Sequence, residues 1–296
     1  MNDATAAFTA LRPRLHGIAY RMLGSVAKSE DLVQDIWLSW HGVDPSSIDN
    51  AEAWLVAATT RRAIDRLRAA RTRREHYVGI WLPEPILTDE GATPEDLQEL
   101  ASDVSVAFLL LLERLTPEAR AAFLLREVFD IDYAEIARTL DKNEAACRQL
   151  VHRAKAQVRR DRPRRPTSAS RPSMTLVRRF AETMAVGDLD ALRGLLDDDA
   201  TLVSDGGGKV NSFPHPLHGA ARIAHLFYAP HLRPHAAMRV EPVRVNGDWA
   251  VSRYIDGALE SVHTYEADED RIMAIHVQRN PDKLTRFVRH AHGFST

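Results

Sequence analysis

The chain has 296 residues, 45% of them hydrophobic and 27% charged, a net charge of −2 and a single cysteine, Cys147. Such a length can bury two or three separate cores, and such a composition belongs to a globular protein rather than a fibrous or disordered one. The lone thiol excludes an internal disulfide framework and fits a reducing compartment. No secretory signal opens the chain, and its longest apolar run, "VAFLLLL", falls far short of a bilayer span, so a cytoplasmic protein without membrane attachment is expected.

Residues 6–74 read as helices. Leu32, Ile36 and Trp40, with Val33 and Trp37 beside them, recur at helical spacing, and Asp31, Gln34 and Asp35 fall on the other side. After the break "HGVDPSSIDN", a helix over roughly 51–70 turns Ala57, Thr60, Ile64 and Leu67 to one face. Around it cluster Arg61, Arg62, Arg66, Arg68, Arg71, Arg73 and Arg74, flanked by Trp54 and Tyr77. Basic residues interleaved with aromatics suit a groove that tracks a nucleic-acid backbone and stacks unpaired bases; a solvated helix surface is the plain alternative. Next comes "IWLPEPI" at 80–86, then an acidic loop-like stretch, "LTDEGATPEDLQE".

Residues 103–160 are again helical. Thr116-Pro117 reads as an N-cap with proline at the first helical position, and Asp132 and Glu135 have capping-box spacing. The helix so opened turns Tyr133, Ile136, Ala137 and Leu140 inward. A "DKN" turn leads to a second helix with an inner stripe of Cys147, Leu150, Val151, Ala154 and Val158. Its outer stripe holds Arg148, His152, Lys155 and Arg159. Two helices, a short turn and a basic outer stripe make a helix-turn-helix that reads DNA in the major groove, with Gln149 able to address adenine. A basic linker, "RRDRPRRPTSASRPS", follows. The remainder is α+β, with helices over about 174–196 and 219–228 and strands over about 200–204, 238–245, 249–256, 258–267 and 271–278. Asn246-Gly247 marks a hairpin turn.

These stretches resemble a known family. "SEDLVQDIWLSW" and "AWLVAATTRRAIDRLRAARTRRE" look like domain two of bacterial extracytoplasmic-function sigma factors, and residues 111–160 look like their domain four. The last third, with "WLPEP" at 81–85, "DGGGK" at 205–209 and "NPDKL" at 280–284, resembles the subgroup with a fused SnoaL-like domain. The expected architecture is therefore multidomain: two all-α DNA-binding domains, at 1–75 and 103–162, joined by a linker at 76–102, then a basic linker at 163–173 and an α+β SnoaL-like cone-shaped barrel at 174–296.

The resemblance implies roles. Asp31, Gln34, Asp35 and Trp37 match the segment that docks on core RNA polymerase. The loop at 41–50 and Arg61, Arg62, Arg66 and Arg68 match the reader and melter of the −10 promoter element. Residues 144–155 match the −35 recognition helix. Leu150 stands where the family commonly has arginine, which shifts base and phosphate contacts to Arg148, Gln149, His152, Arg153 and Lys155. Promoter DNA and core polymerase are the expected partners; a small-molecule ligand in the C-terminal pocket is left open, and no cofactor or metal is expected.

SnoaL-like relatives include acid–base enzymes, for which Asp205, His215, His218, Asp256, His263 and His276 are the candidates here. No pairing among them is visible in sequence, and no catalytic residue is assigned. Pro83 and Pro85 stiffen the linker into an extended state, and exposed Trp81 and Leu82 would be costly. Trp81, Leu82, Pro83, Glu84 and Pro85 are therefore expected to dock on Asp205, Gly206, Gly207, Gly208 and Lys209 and on Asn280, Pro281, Asp282, Lys283 and Leu284; completion of the first domain's core by Trp81 is the alternative. The reading is a non-enzymatic sigma factor with a regulator fused in cis. The alternatives are a ligand-responsive helix-turn-helix transcription factor and a cyclase- or isomerase-like enzyme with a DNA-binding module.

Overall fold

Side-chain caps mark many helix starts in this chain. Ser25, Thr116, Asp132, Ser173 and Asp188 each accept the backbone N–H of the residue three places on, satisfying one of the orphan donors of a helix N-terminus. In the computed structural model, which describes residues 3–44, 48–74, 77–88, 104–161, 171–232, 237–268 and 270–291, these caps open α2 (Val26–His41), α5 (Pro117–Glu127), α6 (Tyr133–Leu140), α8 (Met174–Val186) and α9 (Leu189–Gly194). The other helices are α1 (Asp3–Leu23), α3 (Ala51–Arg74), α4 (Val106–Glu113), α7 (Glu144–Asp161), α10 (Ala220–Tyr228) and α11 (Pro281–Ala291). Part of the 41–50 loop, most of the acidic stretch and of the basic linker, and the side chains of Arg71, Arg73 and Arg74 lie outside the described residues.

The chain forms two compact units. The first holds α1–α3, α5–α7 and most of α4. Leu15, Ile18, Met22, Leu32, Ile36, Leu55 and Ile64 fill the core among α1, α2 and α3. Leu109, Leu112, Leu124, Ile136, Cys147 and Val151 fill that among α4 to α7. Asp141, at φ +53°, ends α6 in the left-handed region. Asn143 Oδ1 then accepts the Ala146 N–H at 2.8 Å and starts α7. Among the residues expected to face inward, Tyr133, Leu140 and Leu150 are only partly buried.

The second unit holds residues 77–88 and the chain from 171 onward. Its sheet has the order β2-β1-β6-β5-β4-β3, from β1 (Leu196–Asp205), β2 (Leu217–His218), β3 (Met238–Val245), β4 (Asp248–Ile255), β5 (Ala258–Ala267) and β6 (Ile272–Gln278). β1 and β6 are parallel; the other neighbours are antiparallel. Phe180, Phe227 and Tyr265 pack on one face beneath α8 and α10. A smaller cluster of Val245, Ala250 and Val262 meets Leu284 and Phe287 of α11 and Leu87 of the linker.

The single helix expected over 174–196 is two. Gly187, at φ +76°, closes α8, and a Cβ there would lie 2.6 Å from the His231 ring. β1 also starts earlier than expected, because Leu196 pairs with Ile272 across the parallel ladder. The "NP" dipeptide stops β6 and opens α11, with proline at the first helical position where its missing N–H costs nothing.

Candidate nucleic-acid interfaces and the linker clasp

The α2 face carries Asp31 and Gln34 in solvent, whereas Asp35 is tied down. Its Oδ2 receives Arg66 Nη2 at 2.6 Å, and Arg66 Nη1 reaches the Lys28 carbonyl at 2.8 Å. Trp37 is half-buried against Phe8 and His41, with ring centroids 4.7 and 4.2 Å away. One ion pair thus joins the expected polymerase-docking face to the expected −10 face.

Two of the arginines expected to serve the −10 element, Arg61 and Arg68, are engaged by the second helical module. Arg61 donates to the carbonyls of Thr139 and Arg138 at 2.8 and 2.7 Å. Those carbonyls belong to the last turn of α6, where intrahelical partners run out and the helix dipole favours a cation. Arg68 donates to Glu118 at 2.7 Å, and Lys142 reaches the other oxygen of Glu118 at 3.0 Å. Lys142, and then Arg68, hold the Glu118 carboxyl below its usual range despite partial burial. Arg120, 2% exposed, donates to the Arg21 carbonyl at 2.9 Å and to Glu113 at 2.6 Å. Arg62 stays exposed.

On α7, Gln149, His152 and Arg153 are exposed, and Lys155 is partly so. Arg148 pairs with Glu144 at 2.6 Å and lies 5.1 Å from the Tyr133 ring centroid; Lys155 pairs with Glu127 at 2.6 Å. The stripe is therefore aligned by short intramodular contacts while its donors stay at the surface.

In the second unit, the "WLPEP", "DGGGK" and "NPDKL" segments come together around Asp205, which is fully buried. Parallel pairing of β1 with β6 sets Asp205 opposite Gln278, so both turns that follow lie side by side. Asp205 Oδ2 accepts the Leu82 N–H at 2.9 Å and Lys283 Nζ at 2.7 Å. Its Oδ1 accepts the Tyr77 hydroxyl at 2.6 Å and the Gly207 N–H at 2.9 Å. Lys283 Nζ also donates to the Leu82 carbonyl at 2.6 Å and lies 4.4 Å from the Trp81 ring centroid. Gln278 Nε2 donates to the Pro83 carbonyl at 3.2 Å. Burial, and then the hydrogen bond to Asp205, push the Tyr77 phenol well above its usual value, so it remains a donor at neutral pH.

Leu82 is 1% exposed, and Pro83, Glu84 and Pro85 are also buried, whereas Trp81 is only half-buried. The apolar anchor is thus Leu82; its burial stabilises the docked linker by about 1.5–3 kcal/mol. Gly207 sits at φ +62°, and a Cβ there would lie 2.2 Å from the Asn280 amide. Lys209 pairs with Asp282 at 2.6 Å, outside the buried network. Pro281 and Leu284 take no part in the linker's polar contacts and line a pocket at α11.

The linker has a second anchorage at the β3–β4 hairpin, which carries no expected site residue. Asn246, at φ +54°, donates its N–H to the Ile86 carbonyl at 2.8 Å and accepts the Ile86 N–H on its side chain at 3.0 Å. The Thr88 N–H meets the Arg244 carbonyl at 2.9 Å, and Gly247 N–H meets Thr88 Oγ1 at 3.1 Å. The "NG" dipeptide marked the turn, but nothing in it marked the second partner. Tyr77, read in sequence as an aromatic flanking the arginine helix, instead bonds Asp205 and Asn280 in the clasp, and Gln278 carried no motif.

The six acid–base candidates are dispersed. Asp205 is consumed by the clasp, while His215, His218 and Asp256 are exposed. His263 lies opposite Val277 and His276 opposite Thr264, so the two imidazoles point to opposite sheet faces. Burial pushes His263 down to about 3 and His276 down to about 4. His276 Nε2 lies 3.4 Å from Glu266, which at neutral pH is a contact with a neutral ring. His263 Nε2 lies 2.8 Å from Ser261 Oγ, which donates to Glu260 at 2.6 Å. Ser261 is itself 0% exposed, so no substrate reaches it in this state. Among the described residues no cluster of metal-binding side chains occurs, and no helix is long and apolar enough to cross a membrane.

Comparison with known proteins gives three consecutive matches: residues 7–73 to "Sigma-70 region 2", residues 105–158 to "Sigma-70, region 4" and residues 177–290 to "SnoaL-like domain". The chain is 36% identical over 295 residues to the ECF RNA polymerase sigma factor SigJ of Mycobacterium tuberculosis, covering 94% of this chain and 92% of that protein. It is 28% identical over 225 residues to SigG of the same organism, another ECF RNA polymerase sigma factor, covering 67% and 60%. The crystal structure of M. tuberculosis SigJ superimposes with a TM-score of 0.74 at 31% identity, covering 95% of this chain and 98% of that one.

Proposed function

Since the chain belongs to the extracytoplasmic-function family of RNA polymerase sigma factors, we propose that its C-terminal SnoaL-like domain regulates it in cis, by gripping the segment that joins its two DNA-reading modules. The protein directs promoter-specific transcription initiation by binding core RNA polymerase and promoter DNA. Within that role, Asp31 and Gln34 dock on the polymerase, with Asp35 and Trp37 shaping the same face. Arg61, Arg62, Arg66 and Arg68 serve the −10 element, and Arg148, Gln149, His152, Arg153 and Lys155 the −35 element. The C-terminal domain acts as a structural regulator and not as an enzyme.

The observation that carries the proposal is the buried Asp205–Lys283 pair closing on both the N–H and the carbonyl of Leu82. Backbone held on both sides by a buried ion pair is fixed in position on the C-terminal domain. The Arg61 and Arg68 contacts support a second element of the cycle: the −10 arginines must exchange Thr139, Arg138 and Glu118 for DNA phosphates when the promoter is engaged. Promoter-dependent transcription with purified core polymerase tests the reading. The full chain should initiate, and loosening the grip through Lys283→Met should change the transcript yield. Identical yields from both proteins would remove the cis-regulatory role.

A further inference from the structure

Pro281, Leu284 and Thr285 of α11 border a pocket of about 500 Å³. Its walls are aliphatic: Val210, Ile255, Leu259, Pro281 and Leu284. Its polar side is formed by Glu260 and Arg279, with Thr285 at α11. Glu260 is shared by two guanidinium groups, those of Arg253, at 2.6 Å, and of Arg279. This cluster therefore carries one surplus positive charge. Burial raises the Glu260 carboxyl, but Arg253 first, then Ser261 and Arg279, outweigh it and bring the group to about 2, so the carboxylate stays ionised and the surplus persists at neutral pH. Arg279 Nη1 and Nη2 are used by the Asn211 carbonyl and Glu260, while its Nε is buried without a partner.

An aliphatic cavity with a net cationic end is complementary to an amphipathic anion. We propose that this pocket binds a small aliphatic carboxylate, its chain against Ile255, Leu259 and Leu284 and its head group at Arg279, and that occupancy braces the linker clasp. Its lining shares no residue with the cluster that holds Phe180, Phe227 and Tyr265. The coupling is direct. α11 offers Pro281, Leu284 and Thr285 to the pocket and Lys283 to Asp205 and Leu82. Arg279, whose side chain lines the pocket, donates its backbone N–H to the Asp205 carbonyl at 2.8 Å. A ligand that immobilises Leu284 and Arg279 thus immobilises both halves of the grip. The binding half stands alone; the coupling half rests on the regulatory reading above.

The test uses the full chain with labelled Ile, Leu and Val methyl groups, titrated with octanoate and with its neutral counterpart octanamide. Octanoate should shift the methyl signals of Ile255, Leu259 and Leu284, and octanamide should bind about tenfold more weakly for want of the charge-assisted contact. Ala258→Phe, at an exposed pocket-lining position, should fill the cavity and abolish the shifts. Arg279→Gln should bring octanoate down to the level of octanamide. Equal binding of the two probes, shifts confined to the Leu176 and Ile223 methyls of the other sheet face, or full octanoate binding by Ala258→Phe would each overturn the site. Hydrogen exchange of the Leu82 amide reads the coupling: octanoate should slow it, and an unchanged rate at saturation would overturn the link to the clasp while leaving the binding result intact.

Discussion

Asp205 and Lys283 form an ion pair nearly closed to water, with side-chain exposures of 0% and 12%. Removing one partner of such a pair leaves the other charge buried and costs about 3–5 kcal/mol, whereas removing both costs much less. Asp205→Asn and Lys283→Met should therefore each lower the stability of the second unit strongly, and the double variant by less than their sum. Chemical denaturation of all three measures this. The two buried imidazoles make a separate prediction. Their folded pKa values are depressed, to about 3 for His263 and about 4 for His276, from 6.5. Below pH 6.5 the unfolded chain takes up protons that the folded unit refuses, so the stabilisation is complete above the unfolded pKa and is lost as acid is added. Each histidine contributes a slope of about 1.4 kcal/mol per pH unit between roughly pH 6 and pH 4. Across that window the fall in stability should be shallower in His276→Gln than in the wild type by about 1.4 kcal/mol per pH unit. A slope untouched by that substitution would mean that His276 is protonated in the folded state.

At the scale of elements, α3 is joined to α6 by a cation at a helix C-terminus and to α5 by a partly exposed ion pair. Arg68 and Glu118 have side-chain exposures of 56% and 34%, so that pair is worth only about 0–1 kcal/mol. Glu118→Lys should therefore strengthen binding of the free protein to a −10 single strand by no more than about fivefold, read by fluorescence anisotropy, with a steeper dependence on salt. On α7, Arg148→Ala should cost about 1–3 kcal/mol and relax −35 specificity, whereas Lys155→Ala should weaken all sequences alike. Competition binding with base-substituted duplexes separates the two outcomes. Much at this scale was legible in sequence. The caps Thr116 and Asp132, the α6–turn–α7 pattern and the Asn246-Gly247 turn are local devices whose chemistry lies within a few residues. What was not legible is long-range. Arg61 meets a carbonyl 78 residues away, and nothing local distinguishes it from Arg62. The linker shows the same limit. Its prolines announce an extended, docked segment, but an irregular strand has no fixed alternation, so sequence could not say that Leu82 would enter and Trp81 remain half outside.

For the whole molecule, the depth of Leu82 sets the order of effects on transcription. Leu82→Ala removes a fully buried side chain and should cost about 2–5 kcal/mol of linker docking, while Trp81→Ala removes a half-buried ring over Lys283 and should do less. Deleting residues from 280 onward removes Lys283 and its helix together. Transcription with core polymerase should shift in one direction for all three, upward if the grip restrains the sigma factor, with Trp81→Ala the smallest change. Opposite directions for Leu82→Ala and the deletion would separate α11 from the clasp. The clasp also has an order in time. Leu82 and the ammonium group that holds its carbonyl are 201 residues apart, and at about 5–20 residues per second a ribosome needs about 10–40 s to cover that distance. Both DNA-reading modules are thus synthesised before the lysine that grips their connection exists. Each new molecule therefore begins with its linker ungripped, until α11 emerges well after both modules.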